Sequence, residues 1–143
     1  MSEKQLFSLA GYLKENYRYF HLKDTAGQER DFHFHDFDKL VILLSGKVDY
    51  LVENGSYELK PWDILLVKPH TIHRAIIDKS LPYERIIVYL DRKYFDRVFP
   101  DARLMDCFET ADRSGRHLLE PNREQIIELS KVLEAYESAL EDT

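Results

Sequence analysis

The chain has 143 residues, 44% of them hydrophobic and 32% charged, which marks it as one globular domain and excludes a disordered tail or a fibre. A chain of this length removes roughly 70% of its unfolded surface from water, so its core holds without a disulfide framework, and the single Cys107 could not build one. The formal net charge of −6 has the wrong sign for gripping phosphate backbones and disfavours direct nucleic-acid binding by these residues.

Met1-Ser2-Glu3-Lys4-Gln5 lacks the basic-then-apolar pattern of a signal region, and the longest aliphatic run, Leu40 to Leu44, is far below membrane-spanning length. The expected location is therefore the cytoplasm, with no membrane partner. Ser2 with Gln5 has the form of a capping box opening a short helix through Leu6, Leu9, Ala10 and Leu13, and Tyr17 to Leu22 then alternates as a first strand. A polar loop, Lys23 to Arg30, leads to Phe32-His33-Phe34-His35, then Asp36-Phe37-Asp38, then Leu40 to Leu44, whose unbroken apolarity implies burial on both faces. Ser45-Gly46 turns the chain. Val48, Tyr50 and Val52 alternate with Asp49, Leu51 and Glu53, and Asn54-Gly55 is a strong hairpin signal before the return strand Ser56 to Lys60.

Pro61-Trp62-Asp63 makes another turn, Ile64 to Val67 another buried strand, and Pro69-His70-Thr71 a break before the strand His73 to Ile77. Arg85 to Leu90 is the last strand of about eight, a number that fits a sandwich or small barrel. Asp91 caps a short helix carrying Tyr94, Phe95 and Val98 and stopped at Pro100. The stretch Asp101 to Leu119 reads as irregular, with Cys107 a small residue at least half-buried in it. Pro121-Asn122 with Gln125 opens an amphipathic helix whose stripe is Ile126, Leu129, Leu133, Tyr136 and Leu140. From Glu120 onward seven acids face two bases, so nearly all of the net charge sits there.

His33 and His35 are one residue apart on a predicted strand, so both side chains project from the same face, inward. Lys39, Val41 and Leu43 share their parity if the strand continues through Asp36 to Asp38, which brings an ammonium near two imidazoles. His73 opens a later strand and meets the first two only if the strands face one another across a barrel.

These residues resemble the first motif of the cupins, H-x-H, then Glu, then six residues and Gly. His33 and His35 take the histidine positions, Lys39 falls where the glutamate belongs, and Gly46 closes the motif. The second motif is degraded: Trp62 stands for its first glycine, Lys68 for its proline and His70 for its second glycine, and His73 alone keeps its landmark. From about Phe32 onward the chain is similar to the N-terminal effector-binding and dimerisation domain of AraC-type transcription regulators. The resemblance rests on His33-Phe34-His35-Asp36-Phe37, Leu43 to Val48, Tyr57 to Leu66, Pro82 to Ile86 and His117-Leu118-Leu119. It implies a mainly β, cupin-type double-stranded β-helix (jelly-roll) barrel with a short terminal helix and a C-terminal amphipathic α-helix. It further implies a small effector, often a sugar, a homodimer paired through the helix, and DNA contacted only through a separate helix-turn-helix region that this chain lacks. The expected division is a barrel over residues 1–110 and a connector with the dimerisation helix over 111–143.

Three histidines also form a facial set for iron, zinc or nickel, and a small three-histidine dioxygenase or isomerase is the alternative function. Lys39 argues against a divalent transition metal there, because an ammonium 4 Å away repels each unit of positive charge by roughly 4 kcal/mol at an effective dielectric of 20. The favoured expectation is no cofactor and no catalysis, with His33, His35 and His73 hydrogen-bonding a ligand, water or one another. Lys39 would meet an anionic or hydroxyl-rich compound unless it turns outward to Asp36 or Asp38. Trp62 would supply a flat wall, and Tyr19, with Tyr17 and Phe20, would cover the barrel mouth. The amphipathic stripe finds no other apolar element to receive all of it, which makes it the candidate dimer seam. A barrel filled by its own side chains, serving only for dimerisation, is the third reading.

Overall fold

Residues 8–9, 13–24, 33–53, 55–101 and 105–141 are described by a computed structural model; at residues 8, 9, 33 and 34 the description is of backbone alone. In chain order their elements are β1 (Ser8–Leu9), β2 (Tyr17–Asp24), β3 (His33–Phe34), β4 (Asp38–Ser45), β5 (Val48–Val52), β6 (Gly55–Leu59), β7 (Ile64–Val67), β8 (His73–Ile77), β9 (Tyr83–Leu90), α1 (Arg92–Val98), α2 (Asp106–Ser114), β10 (Leu118–Leu119) and α3 (Arg123–Glu141). The strands form two five-stranded sheets, ordered β1-β3-β8-β5-β6 and β10-β7-β4-β9-β2. From β3 to β9 the chain crosses repeatedly from one sheet to the other, which is the jelly-roll barrel expected from the sequence. Ladders are antiparallel except β1 on β3.

The opening of the chain departs from expectation. Ser8 and Leu9 form a strand beside His33 and Phe34, where a helix was expected, and the capping residues Ser2 and Gln5 lie outside the described residues. Pairing to β3 offers these backbone groups a ladder, and tertiary context overrides a local helix signal.

The interior of the barrel follows from alternation. Val48, Tyr50 and Val52 of β5 are buried together with Val41 and Leu43 of β4 and Leu65 and Val67 of β7 in one apolar cluster. The other parity of β4 and its neighbours faces out: Leu40, Ile64, Leu66 and Leu90 pack against Met105, Phe108 and Ala111. Leu40 to Leu44 is thus enclosed on both faces, as its unbroken apolarity required.

The hairpin β5–β6 lies one residue from the expected turn. Val52 pairs with Gly55, and Glu53, directly after Val52, takes the left-handed φ of 44° that a tight hairpin demands. Glu53 lacks the short side chain that tolerates this conformation, so Glu53→Asn is expected to stabilise the fold by about 0.5–1 kcal/mol. A thermal melt that leaves the variant at or below the parent's Tm would count against this.

Two proline turns keep the shape of the degraded second motif. In Lys60-Pro61-Trp62-Asp63 the Asp63 amide donates to the Lys60 carbonyl at 2.9 Å, and in Lys68-Pro69-His70-Thr71 the Thr71 amide donates to the Lys68 carbonyl at 3.3 Å. Proline at the second position and a positive φ at the third, 75° at Trp62 and 65° at His70, give the pattern of type II turns. Both positions take the backbone conformation associated with glycine although neither residue is glycine.

Asp91 caps α1 as expected, its carboxylate accepting from the Lys93 amide at 3.1 Å. The expectation of an irregular stretch from Asp101 to Leu119 does not hold. Helix α2 stands there, burying Phe108 and Ala111 three residues apart and ending on Gly115 at φ 70°, a left-handed cap. Cys107 is exposed on it, not half-buried. The expected division at 110/111 falls inside this helix. Helix α3 opens with the capping pair foreseen: the Asn122 amide donates to the Gln125 side chain and the Gln125 amide to that of Asn122, both at 2.9 Å. Among the described residues no helix is long and apolar enough to cross a membrane.

Candidate functional site

The strand parity used to aim Lys39 breaks down, yet its result stands. β3 and β4 belong to different sheets, with a bend at Asp36-Phe37 between them, so no continuous strand links His35 to Lys39. Lys39 nevertheless shares the parity of Val41 and Leu43, is 7% exposed, and holds its Nζ 5.9 Å from the centre of the Tyr50 ring. It faces the barrel interior, not Asp36 or Asp38.

Two of the expected histidines meet. The His35 and His73 rings lie 5.1 Å apart between centroids, and both residues are buried. His33 sits opposite His73 in the β3–β8 ladder, and Val52 flanks His73 on the other side. The His73 ring donates from Nδ1 to the Thr71 carbonyl at 2.9 Å, which fixes the neutral tautomer with its lone pair on Nε2. The second proline turn holds His35 in turn, because the His70 amide donates to the His35 carbonyl at 2.7 Å.

Aromatic rings extend from the imidazoles. Phe37 lies 4.6 Å from His35 and 4.4 Å from Tyr89, and Phe20 is 5.3 Å from Tyr89. Tyr89 is the ladder partner of Lys39, and Val67 flanks Lys39 on β7. The sequence reading misses Phe37 and Tyr89; their signal is the alternation of β9 and the place of Phe37 two residues after His35. Tyr50 and Tyr83 lie together in the barrel core, and burial, then Tyr83, pushes the Tyr50 hydroxyl pKa well up, so it stays protonated. Arg85 stacks on Tyr83 at 4.2 Å and binds Asp24 at 2.9 Å.

Two expected residues lie elsewhere. Tyr19 is on the outer face of β2, its ring 4.8 Å from Tyr136 of α3, because residues of its parity point away from Phe20 and the barrel. Trp62 is half-buried at its turn, where its amide donates to the Leu43 carbonyl at 2.5 Å. Neither joins the His35–His73 cluster.

Two imidazoles converge, the inward side chain at the cupin carboxylate position is a lysine, and no group of three His, Cys, Asp or Glu is assembled among the described residues.

The family model of the AraC-like ligand binding domain matches residues 16–140. The chain belongs to this family. An AraC-like domain is a ligand-binding module. Among solved structures it is similar to a putative mannose-6-phosphate isomerase from Ralstonia eutropha JMP134, at 22% identity over 55% of this chain and 79% of that one, TM-score 0.49. It is also similar to a cupin-like protein from Thermotoga maritima msb8, at 18% identity over 55% of this chain and 59% of that one, TM-score 0.48. A third is a Cupin 2 conserved barrel domain protein from Salinispora arenicola CNS-205, at 14% identity over 59% and 71%, TM-score 0.48. No curated protein matches the sequence.

Proposed function

We propose that this AraC-like domain is the sensor of a transcription regulator: it holds a carbohydrate or similarly hydroxyl-rich effector in its barrel and does so without catalysis. The observation that carries the reading is the packing of His35 against His73, Phe37 and Tyr89, with the inward ammonium of Lys39 on the neighbouring strand. The same proposal takes in His33, whose backbone pairs with that of His73 in the ladder. Imidazole nitrogens and an ammonium bind hydroxyl or carboxylate oxygens, and aromatic faces receive the apolar face of a sugar ring. DNA would be contacted through a separate region outside this chain.

Pairing of two copies through α3 belongs to the same proposal, with a changed surface. Tyr136 of the expected seam is already engaged with Tyr17 and Tyr19, and Ile126, Leu129 and Leu133 are half-buried within the chain. Ile127 and Val132, 47% and 64% exposed, are the large apolar residues that α3 offers a second copy, and Leu140 of the expected seam is 46% exposed. Effector occupancy regulates only if the bound compound favours one arrangement of such a pair over another.

A thermal-shift screen over neutral and acidic sugars tests the sensor reading. A sugar at a hundred times its Kd adds about 2.7 kcal/mol to stability, and the shift should vanish in Lys39→Met and His73→Ala. A flat response to every sugar, or a shift that both variants retain, would refute it. Sedimentation equilibrium giving only the monomer mass would remove the pairing.

A further inference from the structure

Helix α3 rests on the outer face of β2, and one of its fastenings depends on a proton. His21 of β2 lies opposite Ile86 of β9 in the ladder, its side chain 31% exposed. Its Nδ1 is 2.6 Å from a carboxylate oxygen of Glu137 on α3, and its Nε2 is 2.6 Å from one of Glu84 on β9. A carboxylate only accepts, and a neutral imidazole owns a single N–H, so both hydrogen bonds exist together only when the ring is an imidazolium. We propose that His21 is a proton-operated clasp between barrel and helix: charged, it ties Glu137 of α3 and Glu84 of the sheet to one ring, and on losing its proton it keeps one bond and loosens α3.

The surroundings support this role. On β2 the same face carries Tyr17, Tyr19 and Lys23; β9 offers Glu84; α3 offers Tyr136 and Glu137, with Glu134 and Glu141 a turn to either side. Tyr19 is held protonated far above neutrality by burial and then by Glu137, and Tyr136 is pushed up to about 12 by burial and then by Tyr17, so neither titrates near pH 7. For His21 burial acts downward, but the hydrogen bonds and charges of Glu137 and Glu84 outweigh it, and its pKa lies above the ordinary value of 6.5. A histidine whose folded pKa exceeds its unfolded one contributes docking stability that is complete below the unfolded value and is lost as pH rises through the folded one. Other fastenings of α3, among them Tyr136 on the Tyr19 ring and its hydroxyl on that of Tyr17 at 3.0 Å, do not change in this range. Their persistence makes the response a loosening and not a release. The clasp operates whatever the barrel holds.

The test combines two measurements on the full chain. Proton NMR titration of the histidine rings, with His21→Gln to assign the signal, should give His21 a midpoint above the ordinary value, and Glu137→Gln should lower it. Hydrogen exchange of the α3 amides, normalised for intrinsic pH dependence and referred to the β5–β6 hairpin, should quicken about threefold across that midpoint, the size expected for a partly exposed ion pair. In His21→Gln and in Glu137→Gln the α3 amides should show no such step. A His21 midpoint at or below the ordinary value, α3 protection independent of pH in the parent, or an undiminished step in both variants would each overturn the proposal.

Discussion

Arg92→Ala is expected to destabilise the fold by about 3–5 kcal/mol, the loss typical of stranding one member of a buried ion pair. Asp38 is fully buried, and Arg92 meets it with two hydrogen bonds, Nη2 to Oδ1 at 2.7 Å and Nε to Oδ2 at 3.0 Å. The same guanidinium reaches Glu109 of α2, which Lys68 also contacts at 3.3 Å, so α1, α2 and β4 are joined through one side chain. Truncating Arg92 leaves the Asp38 carboxylate enclosed without its cation. Urea unfolding should show a lower midpoint at an unchanged slope, and Asp38→Asn on the Arg92→Ala background should recover much of the loss by removing the stranded charge. The defect should also shrink on acidification. Burial already holds the Asp38 pKa above the usual carboxylate value, with Arg92 pulling it down only in part. A carboxyl whose folded pKa exceeds its unfolded one binds protons preferentially in the folded state, so lowering the pH from 7 stabilises the variant relative to the parent. An Arg92→Ala variant within about 1 kcal/mol of the parent at pH 7 would mean that Asp38 is compensated by other means.

Gly46→Ala should cost about 2–4 kcal/mol, from two effects that add. Gly46 has φ 101°, and a Cβ built there would stand 2.6 Å from the Pro82 carbonyl oxygen and 3.1 Å from the Tyr83 Cα. Both obstacles are backbone at the start of β9 and cannot swing aside. Gly115 provides the control: its φ of 70° is also left-handed, but a Cβ there meets nothing within 4 Å. Gly115→Ala should therefore lose only the conformational part, about 1–2 kcal/mol. Thermal melts of the two variants check the ranking, and equal losses would show that the approach of Pro82 relaxes at no cost.

Much of the barrel was legible because local rules and tertiary need agreed. Val48, Tyr50 and Val52 alternate since one face of β5 meets the core, and Leu40 to Leu44 does not alternate since β4 is covered twice. Asn122 with Gln125 announced α3 because a capping pair is a local device. What escaped the sequence was settled over distance. Helix α2 has a short apolar face, Phe108 and Ala111, whose worth lies in the outer surface of the sheet it covers. Tyr19 and Phe20 are neighbours of similar chemistry, and only the register of β2 on β9 sends Phe20 to Tyr89 and Tyr19 to Tyr136. At the candidate site the His35–His73 meeting was foreseeable from the motif, whereas the Phe37–Tyr89 wall required the bend that separates β3 from β4.

The neighbours Asp38 and Lys39 send an acid to the helical shell and a base to the barrel interior, at the head of a strand whose aliphatic residues would be content on either side. A slip of one position would leave that greasy run nearly as well buried but would thrust the carboxylate among the aromatic rings and the ammonium beneath the helices. The alignment of the central strand is thus dictated by its two charges, and hydrophobicity supplies the adhesion without choosing the frame.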